Sequence, residues 1–219
     1  LRPTASRGRP TAEPTTRILA GRVAEIFLTV GAAVLGLFFA LTAQSGWLLV
    51  LRSLHATPFG QTDPILNRDI GYYVFELPWF ELLQGWLLWL FALSLIGAAL
   101  VYVGSYAARQ LTAKIQVVGV RQPWLRLWPA AERHLTVLGA GVLLLVALGF
   151  QLAIPRLLYS TSGAAYGAGY IDAHIRLPVM QILTWITVLG ALALLANLLL
   201  RIRWVPLGIV GVWLVVAFL

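Results

Sequence analysis

ATPFGQTDPILNRDIGYYVFELPW, Ala56 to Trp79, interrupts an otherwise very apolar chain, and the reading of the fold turns on it. The stretch holds Asp63, Asp69 and Glu76, three of the eight acidic residues in the chain. Pro58, Pro64, Pro78, Gly60 and Gly71 make it dense in turn-formers, which argues for a defined loop rather than a helix. The apolar runs on either side are long enough to cross a bilayer, so the stretch reads as a structured loop on, or dipping into, one face of a membrane. Thr62-Asp63-Pro64 and Asn67-Arg68-Asp69 carry turn and cap signals. Three carboxylates raise the idea of a divalent cation, but the spacing is not that of a calcium loop. The expectation is that Asp63 caps a turn and Asp69 pairs with Arg68 or another arginine. Tyr72, Tyr73, Phe75 and Trp79 form an aromatic cluster of the kind found at membrane interfaces.

Composition supports the same class. Of 219 residues, 60% are hydrophobic and 11% charged, and the mean hydropathy is +0.85. A soluble domain has about a quarter charged residues. The fold class expected is an all-α integral membrane protein, a bundle of about five transmembrane helices with two structured extracytoplasmic loops. The spans fall near residues 23–43, 82–106, 134–154, 179–200 and 206–219, after a basic cytoplasmic tail or linker over 1–22. Leu1 in place of a methionine, and an end inside an apolar run, suggest a portion of a longer chain. The absence of cysteine excludes disulfides, iron–sulfur clusters and thiolate metal sites.

The net charge of +8 would point to nucleic acid on a soluble protein. Here the charge lies between spans, and membrane orientation explains it better. Ala107 to Arg133 interleaves Arg109, Arg121, Trp124, Arg126 and Trp128, a pattern suited to anionic lipid headgroups. Single-stranded nucleic acid binding uses similar residues, but beside a span it is set aside. Alternation of the spans places twelve of the sixteen basic residues on one side, so the positive-inside rule puts loops 44–81 and 155–178 outside the cytoplasm.

The second loop, RLLYSTSGAAYGAGYIDAHIRL (Arg156–Leu177), contains Gly167 and Gly169 but does not match a phosphate loop, so nucleotide binding is rejected. Asp172, His174 and Arg176 alternate; an extended stretch would place them on one side. A salt bridge ahead of a helix opened by Pro178 is the preferred reading. His134 and His174 are the candidates for a heme or magnesium-pigment ligand, with capping or headgroup contacts preferred. No cofactor, metal site or catalytic set is expected. Asn197 is placed to bond between helices.

ATPFGQTDPILNRDIGYYVFELPWF and YSTSGAAYGAGYIDAHIRLP together resemble the signature stretches of uncharacterised protein family (UPF) 0182, large bacterial multi-spanning membrane proteins. The resemblance implies an N-terminal membrane part of a larger protein, with a large extracytoplasmic region after it. It carries no catalytic residue, so Asp63, Asp69, Tyr73, Glu76, Gly167, Gly169, Asp172 and His174 are motif positions only. No ionisable residue falls deep in a span, where transporters usually carry them. The leading function is therefore a non-catalytic scaffold or subunit of a larger assembly in the bacterial inner membrane, with lipids and other membrane subunits as partners and no nucleic acid. A transporter or channel component is the alternative. A lipid- or envelope-acting enzyme and a pigment-binding protein follow.

Overall fold

The computed structural model describes residues 14–116, 129–159, 167–202 and 204–217. Five helices follow one another: α1 Pro14–Leu54, α2 Leu77–Gln116, α3 Pro129–Arg156, α4 Leu177–Leu200 and α5 Val205–Ala217. Among the described residues the only strand-type pairing is a lone bridge between Thr62 and Asp69. The protein is all-helical, and among the described residues three stretches are long and apolar enough to cross a membrane: Tyr72–Ala107, Pro129–Arg156 and Asp172–Leu200. A fourth is added if the bent pair Leu28–Gln44 and Gly46–Leu54 is one span. The described part of α5, 13 residues, is shorter than the roughly 20 that a span needs.

Two boundaries differ from the sequence reading. α1 begins at Pro14, so Arg17 and Arg22, read as part of a tail or linker, lie on a helix continuous with the first apolar run. Turn-formers also misplace the end of the first loop. Helical structure starts at Ile70, and Tyr72–Glu76 forms a π-turn that runs straight into α2. The aromatic cluster is therefore helical.

Leu1–Leu48 and Leu49–Leu219 form separate compact units. In the first, Thr29 and Thr42 return their hydroxyls to the carbonyls of Glu25 and Phe39, at 2.8 and 2.9 Å. Such back-bonding satisfies both hydroxyls within their own apolar helix.

In the second unit α3 lies between α2 and α4 and runs antiparallel to both. Small residues set the spacing. Ala140 and Ala191 are fully buried at the α3–α4 contact, with Leu194 beside them and Leu143, Leu195 and Ile209 packed around. Between α2 and α3, a Cβ on Gly141 would stand 2.5 Å from the Phe91 ring, and one on Gly149 2.9 Å from the Gln84 amide. The Gln84 amide instead donates to the Leu145 carbonyl at 2.8 Å. A polar side chain here binds one helix to another, and the glycine opposite makes room for it. Thr184 and Thr187, both buried in α4, donate to the Met180 and Leu183 carbonyls. Asn197 does not bond between helices: its Oδ1 accepts the Ile202 N–H at 2.8 Å and caps α4.

Candidate functional site

The two loops sit at the end of α3, where α2 and α4 begin. The first is a hairpin-like turn: the Asp63 N–H donates to the Arg68 carbonyl at 2.9 Å, and the Ile70 N–H to Gln61 at 3.0 Å. Asn67, with φ 53°, supplies the left-handed residue such a turn demands.

Both loop carboxylates face inward onto backbone donors. Asp63 Oδ1 accepts the Ile65 N–H at 2.8 Å. Its Oδ2 accepts the Leu66 N–H at 2.7 Å and the Tyr73 hydroxyl at 2.8 Å. Asp69 Oδ1 accepts the Phe59 and Gly71 N–H groups at 3.0 and 2.6 Å, and its Oδ2 the Gly60 N–H at 2.9 Å. Asp63 thus caps a turn, and Asp69 takes backbone donors in place of an arginine. Arg68 stacks instead over the Tyr72 ring, 4.3 Å from its centroid. Burial works to raise the pKa of Asp63, but hydrogen bonds from the Ile65 and Leu66 backbone and the Tyr73 hydroxyl outweigh it and hold it low. The Phe59 and Gly71 N–H groups hold Asp69 low as well. Glu76 is half-buried in the π-turn, with no hydrogen-bond partner among the described residues.

The second loop uses one carboxylate differently. Asp172 is 8% exposed; its Oδ2 accepts the Gly169 N–H at 3.1 Å and its Oδ1 the Arg176 Nη1 at 3.0 Å. The salt bridge read from the sequence is present, but on a π-turn over Asp172–Arg176 and not on an extended strand. His174 points elsewhere. Its ring stacks on Tyr170 at 4.0 Å and its Nδ1 meets the Tyr170 carbonyl at 3.0 Å. Gly167 has φ +111°, a conformation open to glycine.

The loops meet. Ile65 and Leu66 of the first line a small cavity with Leu157, Leu158, Ala168 and Asp172. Below it Tyr73, Leu77 and Leu152 form a buried cluster. Arg156 and Glu81 make an ion pair that ties the ends of α3 and α2, a contact the sequence reading missed because the partners are 75 residues apart.

His134 lies at the other end of the bundle, where its Nδ1 meets the Tyr102 hydroxyl at 3.0 Å. Among the described residues no three His, Asp or Glu side chains converge to hold a metal ion. Arg109 lies on α2. Arg121, Trp124, Arg126 and Trp128 fall outside the described residues.

These features define a class: an all-helical protein, apolar enough to enter a membrane, with two clamped loops packed together at one end. The chain belongs to the uncharacterised protein family UPF0182, which it matches over residues 4–219. It is similar to a UPF0182 protein of Trichodesmium erythraeum, 36% identical over 170 residues, covering 78% of this chain and 15% of the relative. A Cupriavidus necator relative is 36% identical over 200 residues, covering 91% of this chain and 20% of its own length. One from Pelotomaculum thermopropionicum is 30% identical over 206 residues, covering 94% and 21%. The chain thus spans about a fifth or less of the curated relatives it matches. No solved structure matches it.

Proposed function

We propose that this chain is the membrane portion of a non-catalytic scaffold in the bacterial inner membrane. About five helices cross the bilayer, the basic tail is cytoplasmic, and the two loops form an extracytoplasmic platform. On this reading the platform positions the remainder of a longer polypeptide or a partner subunit.

One observation carries the proposal: two of the motif carboxylates, Asp63 and Asp69, are occupied with shaping the first loop. Asp63 and Asp69 together accept six hydrogen bonds, five from backbone N–H groups and one from a tyrosine. Held at low pKa they are poor general bases, and with three acceptor positions each already taken they have little left to offer a cation. A rigid outer surface is what such an arrangement supplies.

The test is a substituted-cysteine scan of α2 and α4 in the full-length protein, labelled with a membrane-impermeant maleimide. The scaffold reading expects labelling confined to the loops and helix ends. A row of labelled positions at mid-span, on one helix face, would refute it and favour a transporter. These residues contain no native cysteine to interfere. Gentle purification from native membranes, with mass spectrometry of what accompanies the protein, then identifies the partner.

A further inference from the structure

At the end of the bundle away from the loops, α3 begins beside the end of α4. A shallow cleft lies there, lined by Glu132, Arg133, Thr136, Asn197 and Arg201 together with Pro129 and Leu198. Arg133 opens the second turn of α3 and Arg201 immediately follows α4. Neither guanidinium has an ion-pair partner among the described residues, whereas Arg156 and Arg176 are both paired. Glu132 brings one negative charge to the rim, and the cleft stays net positive. The positive end of the α3 dipole and the negative end of the α4 dipole meet here and offset each other, so the two arginines carry the charge of the cleft.

Its wall is built with some care. Asn197 is 7% exposed. Its backbone carbonyl takes the Arg201 N–H at 2.8 Å and its Oδ1 takes the Ile202 N–H at 2.8 Å. The Nδ2 donors of this side chain have no partner among the described residues, and the nitrogen itself is not sealed from solvent. Thr136 returns its hydroxyl to the Glu132 carbonyl at 2.7 Å. Arg201 itself holds φ 53° and ψ 37°, a position that favours glycine or asparagine. The chain therefore keeps an arginine where the backbone would prefer a smaller residue.

We propose that this cleft binds a phosphate group, held between the Arg133 and Arg201 guanidiniums with the Asn197 amide as a third donor. Two forked cations and an amide on one cleft are the kinds of donor that phosphate oxygens take. The phosphate of an anionic lipid headgroup and free phosphate share that chemistry. The inference rests on these helices crossing a membrane, and not on the scaffold role, since a transporter would use the same site.

The experiment uses the full-length protein, delipidated in detergent, in three forms: unchanged, Arg133→Gln and Arg201→Gly. Glycine suits the left-handed position, so Arg201→Gly removes the guanidinium and leaves the cap in place. Native mass spectrometry follows retention of added phosphatidylglycerol, with phosphatidylcholine as the zwitterionic control. Thermal unfolding follows a titration with inorganic phosphate. We expect each substitution to weaken phosphatidylglycerol retention about tenfold, the size of one charge-assisted hydrogen bond, with phosphatidylcholine and Tm unchanged. If phosphate instead raises Tm in the unchanged protein alone, the site takes its phosphate from solution. Equal retention of phosphatidylglycerol and an equal phosphate response in the unchanged protein and a folded Arg201→Gly variant would overturn the proposal.

Discussion

The two loops enter their helices by the same device and are held by different ones. Each passes through a five-residue π-turn, Tyr72–Glu76 and Asp172–Arg176, and then a Leu-Pro pair, Leu77-Pro78 and Leu177-Pro178. The physical reason is common to both. In an α-helix the ring of Pro78 would collide with the Val74 carbonyl, and that of Pro178 with the His174 carbonyl. In the wider turn Leu77 and Leu177 donate instead to the Tyr72 and Asp172 carbonyls, five residues back. Beyond the shared entry the loops diverge. The first is self-contained, its two carboxylates absorbed by its own backbone and by Tyr73. The second divides Asp172 between one N–H and one arginine, and leans on Ile65 and Leu66 of the first. A loop closed by its own backbone holds its shape locally, and one closed by a side chain and a neighbour borrows it.

The glycines give the sharpest way to break this comparison. Gly71 has an ordinary helical φ of −56°, and its constraint is space: a Cβ would stand 2.7 Å from the Thr57 carbonyl and 2.9 Å from Asp69 Oδ1. Gly71→Ala is expected to cost about 3 kcal/mol, the upper part of the overpacking range, because backbone cannot retreat. Hydrogen exchange should then show the Phe59 and Gly60 amides losing protection together, and retained protection would mean that Asp69 is not the clamp. Gly167 is the reverse case, with room for a Cβ, 3.7 Å from the Leu158 carbonyl, but φ +111°. Gly167→Ala should cost about 1–3 kcal/mol through backbone strain. Exchange at Gly169 should rise while Phe59 stays protected, and opening of both loops would show that the first is not independent.

Acid provides the next distinction. Asp63 and Asp69 titrate lower in the fold than in the unfolded chain. Their contribution is complete above the unfolded value of about 3.9 and fades as pH falls through the lower folded value. Amide exchange at Ile65, Leu66 and Gly71 should therefore be flat from neutral pH down to about 4 and accelerate below it, once corrected for intrinsic rates. An onset well above that point would mean that the carboxylates are not held low. The smallest effect belongs to Arg176, which is more than half exposed. Arg176→Gln should change local stability by about 1 kcal/mol or less, because Asp172 is buried but the glutamine amide can still donate to it. A larger loss would make the second loop as dependent on its carboxylate as the first.

What the amino-acid order determined by itself is whatever depends on near neighbours. Runs of roughly twenty apolar residues define helices apolar enough for a membrane, and their ends follow from clustered glycine, proline and charge. Asp63 as a turn cap was legible because its donors, Ile65 and Leu66, lie two and three residues on. The Asp172–Arg176 pair ahead of a helix was legible for the same reason, although residue order did not show that a π-turn carries it. The start of α2 was misplaced because proline and glycine signal a break without saying whether the chain leaves the helix or widens it. The rest needed the path of the chain. Asp69 reaches Phe59 across ten residues, Gln84 reaches Leu145 across 61, and Arg156 reaches Glu81 across 75. The cleft between Arg133 and Arg201 exists only because α3 and α4 pack antiparallel on Ala140 and Ala191. Local propensity carries no information about which distant donor a carboxylate or an amide will meet. Packing decides that, because a polar group shut away from water has to take whichever partner the fold brings within reach.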